Sequence, residues 1–371
     1  MSRRSLTLLI ATVGVIAALA VAVLIPVPYV ILGTGPTLNT LGKDSSGQPL
    51  ITISGHATYP TTGHLNLVTV GYRGGPGANI NIFSALTAWL NPHEAVVPES
   101  ELFTPGQTQQ QAQQADTQQM TGSQQDATAA ALTELHIPYQ AQEVVVQPEA
   151  GFPAAGVLKA GDVITSVDGT AVTSNTVTGQ TNLTSLIAAH PAGTTLTLTI
   201  LRNGRSQTVR VGTRESGGHP VMGVRVGGQF KFPFTVKFSV GDIGGPSAGM
   251  MFALGIIDKL TSMDLTGGKF IAGTGEIEVS GKVDPIGGIQ QKMVGARDAG
   301  ATIFLAPASN CPDVKGAIPA GLQVVKVSTL SQAVTYLQDI KAGQPVPSCL
   351  RPRREDTCSC VLDARPRPRP A

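Results

Sequence analysis

The sequence predicts an α+β multidomain chain: an N-terminal transmembrane helix, a β-rich domain and then an α/β domain. Three observations lead to this. Leu6 to Ile25 is a run of twenty residues without a charge or a proline. Between 141 and 213, short strand-like runs are punctuated by Gly-Asp, Asp-Gly and Asn-Gly pairs. Beyond 222, apolar strands and helical periods alternate around glycine-rich loops. The predicted segments are 1–28 (cytoplasmic N-terminus and anchor), 29–140 (an N-terminal region with a Gln-rich stretch), 141–213, 222–340 and a tail, 341–371.

Composition narrows the function classes. Only 13% of the 371 residues are charged, about half the usual quarter for a soluble domain. A 42% hydrophobic share nevertheless supplies a core and excludes wholesale disorder. The net charge of +2 is the sum of unlike parts. Six arginines after position 350, together with Arg3 and Arg4, offset an acidic body. This balance implies no basic face for nucleic acid, and no nucleic-acid partner is expected.

The apolar run matches the ~20 residues a helix needs to cross a bilayer. Arg3 and Arg4 precede it, and Pro26 and Pro28 follow. The positive-inside rule then places the N-terminus in the cytoplasm and everything beyond Pro26 outside. The alternative is a cleaved signal peptide, since Ala18-Leu19-Ala20 has the A-x-A form. That site lies inside the apolar run rather than after it. Cys311 and Cys349 could bridge in an oxidising compartment. Cys358 and Cys360 are too close together to build a metal site and have no histidine nearby. No metal and no cofactor are expected.

In region 29–140, Ile51–Ser54 and Leu65–Val70 alternate as strands, and Asn79–Leu90 has helical spacing ended by Asn91-Pro92. The Gln-rich residues 105–125 read as a disordered linker or as one polar face of a long helix, and Ala127–Leu135 follow in helical register. A partly ordered helix beginning near Gln118 is the favoured reading, and neither carries chemistry. In the next segment, Glu143–Gln147 is a strand and Leu183–His190 a short helix. Thr195–Leu201 and Gln207–Val211 form a hairpin around Asn203-Gly204. The run PAAGVLKAGDVITSVDGT resembles a PDZ domain of the bacterial type. The resemblance implies a PDZ-like β-rich domain whose groove, between a strand and the Leu183–His190 helix, accepts an extended peptide. A PDZ-shaped spacer that binds nothing is the alternative.

Residues 222–340 carry the chemistry. Gly244-Gly245-Pro246-Ser247-Ala248-Gly249 lies between the strand Phe234–Val240 and an apolar helix, Ala248–Leu260. A serine there sits at the positive end of a helix, among backbone N–H groups able to hold an oxyanion. Gly245 is the expected member of that oxyanion loop. A helix cap is the competing role for Ser247. Further on, Lys292 opens a helix among small and apolar neighbours. Burial of a lysine lowers the proton affinity of its amine and leaves a neutral amine that can act as a base; a surface residue at a helix start is the competing reading for Lys292.

GPSAG, TGEI, GKV-PIGG and Lys292 four residues beyond PIGG together resemble the proteolytic domain of the Lon family. The resemblance implies a Lon-type α/β proteolytic domain from about Val224 to Ile340. It makes Ser247 the nucleophile and Lys292 the general base, with Thr274 of TGEI holding the lysine. Two features depart from the family. Gly244-Gly245 stands where Asp-Gly is usual, with Asp242 nearby, and no G-x-x-x-x-G-K-[ST] phosphate loop occurs. None of the six histidines lies in a catalytic motif. The resemblance implies an ATP-independent serine endopeptidase on a bacterial cell membrane, acting on peptide or unfolded protein substrates, as a homo-oligomer by analogy. A non-catalytic PDZ scaffold carrying a relic Lon-like domain is the alternative. The Arg-Pro tail reads as disordered.

Overall fold

The computed structural model describes residues 3–24, 26–44, 46–173 and 182–349. In chain order, helix α1 (Arg3–Leu24) leads to strands β1 (Tyr29–Asn39), β2 (Ile51–Ser54) and β3 (His64–Arg73). Helix α2 (Ile82–Trp89), strand β4 (Ala95–Pro98) and helix α3 (Gln109–Glu134) follow. Next come β5 (Gln140–Pro148), β6 (Val163–Val167), α4 (Leu183–Ala188), β7 (Thr195–Arg202), β8 (Arg205–Gly212) and β9 (Val224–Lys231). The chain continues through β10 (Thr235–Phe238), α5 (Gly249–Leu260), β11 (Phe270–Gly273) and α6 (Ile289–Asp298). It ends in β12 (Ile303–Pro307), β13 (Gln323–Val327) and α7 (Leu330–Lys341).

Helix α1 has 22 residues, and Leu8, Ile10 and Ile16 on it are exposed. Among the described residues, no helix is long and apolar enough to cross a membrane. The side chains of 17–22, in the middle of the apolar run, fall outside what is described.

The larger body is built on a mixed sheet in the order β13-β12-β11-β3-β1-β4. Its first four strands are parallel, whereas β1 runs antiparallel to both β3 and β4. Helix α5 is apolar on every side, so it can only be stable enclosed. All of its residues except Lys259 are buried. Ala127 to Leu132 of α3, Leu65 and Leu67 of β3, and Leu330 and Leu337 of α7 belong to the same apolar core. Each large side chain buried there contributes about 1.5–3 kcal/mol. Region 29–140 is therefore not a separate unit before the α/β domain. Two of the central strands and the helix that covers α5 come from it, because sheet order brings together segments about 200 residues apart in sequence.

Helix α3 begins at Gln109, not near Gln118. Thr108 Oγ1 accepts from the Gln111 N–H at 3.2 Å, and Gln111 Oε1 accepts from the Thr108 N–H at 2.9 Å, a reciprocal capping box. With its first turn satisfied in this way, the glutamine run is helical throughout.

The second sheet, β8-β7-β6-β5-β9, is wholly antiparallel and has its own core around Ile164, Leu196, Leu198 and Ile200. Its β7–β8 turn uses Asn203 at φ 51° and Gly204 at φ 74°, the left-handed pair that a two-residue hairpin requires. Beyond the segment expected to end at 213, β9 adds a further strand to this sheet by pairing with β5. Their register sets Lys231 opposite Gln140. The chain thus leaves the larger body and returns to it at adjacent positions.

Cys311 and Cys349 form a disulfide across a sequence separation of 38 residues. It fixes the segment that runs beside β13, where Lys326 N–H donates to Pro347 O at 3.0 Å and Cys349 N–H to Val324 O at 3.2 Å. Cys358, Cys360 and the Arg-Pro tail lie outside the described residues.

Candidate active site

Four elements bring the predicted residues together. Ser247 sits in the turn before α5 and is half-buried. Thr274 follows β11 directly and is fully buried. Lys292 lies in the first turn of α6, whose N-cap Gly288 is left-handed at φ 67°. A side chain on Gly288 would come within 2.6 Å of Val70 on β3, so glycine lets α6 approach the sheet closely.

Lys292 is only 3% exposed. Its Nζ donates to Ser247 Oγ at 2.7 Å and to Thr274 Oγ1 at 3.0 Å. The Thr274 hydroxyl in turn donates to the Ser247 carbonyl at 2.9 Å, and the Gly275 N–H donates to the same oxygen at 2.9 Å. Burial alone pushes the Lys292 amine down to about 7, with no carboxylate close enough to oppose the shift. At neutral pH a large fraction of this amine is unprotonated and can accept a proton from the serine hydroxyl.

Gly245 lies in the serine loop, but its own N–H is already used, donating to the Asp116 carbonyl at 3.0 Å. That amide is therefore not free to hold an oxyanion. Among the described residues, the N–H groups of Ser247 and Ala248 have no acceptor. They sit at the positive end of α5, where an oxyanion would be stabilised.

For α3, sequence reasoning expected a helix but gave it no role at the site. Its Asp116 carbonyl holds Gly245, and Ser123 Oγ donates to the Pro246 carbonyl at 2.9 Å. A side chain on Gly244 would meet Asp116 Cβ at 2.5 Å, so the helix and the serine loop are in direct backbone contact. Thr108 and Gln111 were a legible start signal for this helix. Nothing in a run of glutamines pointed to the loop it braces.

Ser247 and Lys292 open into a cavity of about 300 Å³ whose walls include Val70, Tyr72, Phe103 and Met120. A second cavity, of about 750 Å³, shares Tyr72, Asp116, Met120 and Gly244 with the first and extends along the glutamine face of α3. In the smaller sheet, a separate cavity of about 580 Å³ lies between α4 and β9, with Leu183, Ile187, Met222 and Val226 on its walls. Among the described residues, no cluster of His, Cys, Asp and Glu could hold a metal ion.

Comparison with known proteins follows the same division. Residues 240–339 match the family described as the Lon protease (S16) C-terminal proteolytic domain. Residues 119–213 match the PDZ domain family, a range that begins inside α3. A Lon protease of Neorickettsia sennetsu is 35% identical over 106 residues, which are 28% of this chain and 12% of that protein. A Lon protease of Roseiflexus castenholzii is 45% identical over 71 residues, 19% of this chain and 9% of that protein. Among solved structures, the PDZ domain of an SdrC-like protein from Listeria innocua is 23% identical, covering 23% of this chain and 92% of its own, with a TM-score of 0.21. The chain matches no more than about an eighth of the length of these Lon proteases. It carries a PDZ domain and, after it, a Lon-type proteolytic domain.

Proposed function

We propose that this protein is a membrane-anchored, ATP-independent serine endopeptidase with a Ser247–Lys292 dyad. One observation carries the reading: a buried lysine whose Nζ lies 2.7 Å from the hydroxyl of a serine at a helix start. In the neutral amine the hydrogen bond reverses, and the Ser247 hydroxyl donates to Nζ. Oγ attacks the scissile carbonyl carbon while its proton passes to Nζ. The oxyanion accepts from the N–H groups of Ser247 and Ala248. Collapse of the tetrahedral species expels the amine, which takes the proton back from Lys292. Water then repeats the sequence on the acyl-enzyme, with Lys292 again as base. Thr274 acts as a positioning residue.

The anchor rests on the uncharged run Leu6–Ile25 and the arginines before it. The extracytoplasmic location rests on the same charge asymmetry and accords with the Cys311–Cys349 disulfide. ATP independence rests on the missing phosphate loop in this sequence. The cavity between α4 and β9 would receive an extended segment of substrate.

The experiment is cleavage of a loosely folded protein by the purified chain. Ser247→Ala and Lys292→Met should each abolish turnover while the melting transition is retained. Unchanged cleavage by either variant rules out the dyad. A relic scaffold would also show no labelling of Ser247 by a fluorophosphonate probe.

A further inference from the structure

We propose that Asp116 makes the cleavage site selective for a lysine or arginine side chain close to the scissile bond. The proposal rests on the proteolytic reading above and names the substrate class for it.

Asp116 projects from the first half of α3, where it is the only charged residue between Gln109 and Ser123. It is partly buried, with its Cβ packed against Gly244 of the serine loop. It lines both the cavity that contains Ser247 and Lys292 and the longer cavity beside it. Among the described residues its carboxylate has no hydrogen bond and no ion pair. Everything around it in the first cavity is apolar, aromatic or glycine, apart from Thr69 and the dyad itself.

The dyad does not use this charge. Lys292 is paired with two hydroxyls, and burial alone accounts for its lowered proton affinity, so no carboxylate stabilises its ammonium form. Tyr72, also on the shared wall, does sense Asp116, since after burial that charge is the next cause holding its phenol up. Asp116 is itself raised by burial, the expected state of a carboxyl group lacking a cation. The neighbouring cavity adds a second carboxylate, Asp242. Among the described residues, Lys292 is the sole basic residue lining either cavity. A peptide entering the first cavity therefore passes an apolar wall with one unpaired carboxylate, Asp116, beside the nucleophile, and in the second cavity it meets the glutamine face of α3. A Lys or Arg side chain satisfies both features, because its methylene stem covers apolar surface while its head reaches the carboxylate. An acidic side chain at that position would meet like charge in a partly desolvated site.

The test uses the full chain and peptides in which one lysine is stepped from three residues before to three residues after the cut. Matched peptides carry acetyl-lysine or glutamate instead. The expected result is a kcat/KM about tenfold or more higher for lysine than for acetyl-lysine at one position near the bond, with glutamate poorest. In Asp116→Asn the lysine to acetyl-lysine ratio should fall close to one, and in Asp116→Lys glutamate should become the preferred residue. The ratio is taken within each variant, so a change in overall activity does not obscure it. Equal cleavage of lysine and acetyl-lysine peptides by the unaltered protein overturns the proposal, as does a ratio retained in Asp116→Asn. Fluorophosphonate labelling of Ser247 in the unaltered protein separates the two levels. Labelling with no charge preference removes the role of Asp116 alone, whereas no labelling and no cleavage removes the proteolytic reading and this inference with it.

Discussion

Thr274 accepts a hydrogen bond from Lys292 Nζ at 3.0 Å and donates one of its own to the Ser247 carbonyl at 2.9 Å. One buried hydroxyl thereby ties the base to the backbone of the nucleophile. Thr274→Val keeps the shape and removes both bonds, so Lys292 loses one of its two partners. We expect kcat to fall about 10–100-fold, with KM changed little. Thr274→Ser should restore most of the rate. A loss of packing alone would lower the melting temperature without the rescue by serine, which steady-state kinetics of the two variants would distinguish.

The acidity of Lys292 sets a pH dependence. Burial lowers the amine to about 7, and catalysis needs the neutral form. The value of kcat/KM should therefore rise about tenfold per pH unit below that point and level off above it. The sign for stability follows from the same shift. Between about 7 and the ordinary lysine value the unfolded chain binds more protons than the folded one, so stability contributed by this group rises with pH. Below about 7 the folded protein carries a buried ammonium. Lys292→Met should accordingly be inactive yet melt at or above the parent at pH 6, as measured by calorimetry.

Asp126, on the face of α3 toward the core, behaves in the opposite sense. Burial first, and then the charge of Glu276, pushes its carboxyl up to about 6. A raised acid favours the folded state while it is protonated, so its contribution is present at pH 4 and is lost as the pH climbs through about 6. Asp126→Asn should be close to the parent in stability at pH 4. At pH 7.5 it should be more stable by roughly 1–2 kcal/mol, allowing for partial solvent exposure. Urea unfolding at the two pH values measures the difference. A variant less stable than the parent at pH 7.5 contradicts the assignment.

Much of the chemistry was readable as sequence because it is carried by short local signals. GPSAG, TGEI and the lysine after PIGG each occupy a turn or a helix start, and the structure brings their side chains within hydrogen-bond reach of one another. The hairpin at Asn203-Gly204 was readable for the same reason. The support for that site was not readable. β3 reaches its place beside β11, and carries β1 with it, through pairing between distant segments, which leaves no periodic trace. The buried residues of α3 include Ala127, Ala129, Ala130 and Ala131, too small to show from the sequence that they would pack closely on α5. Gly245 shows the converse limit. Its position in the loop could be inferred, but the partner of its N–H, on a helix about 130 residues earlier in the sequence, could not.

The pairing of Gln140 with Lys231 has a consequence for how this protein could be rebuilt. The ends of the inserted sheet are one strand spacing apart, so closing the gap left by its removal needs only a tight turn and little loop-closure entropy. The β5–β9 excursion is therefore a cassette on a two-stranded stem. It can be excised or exchanged for another recognition module while the helix–sheet scaffold that holds Ser247 and Lys292 keeps its own connectivity.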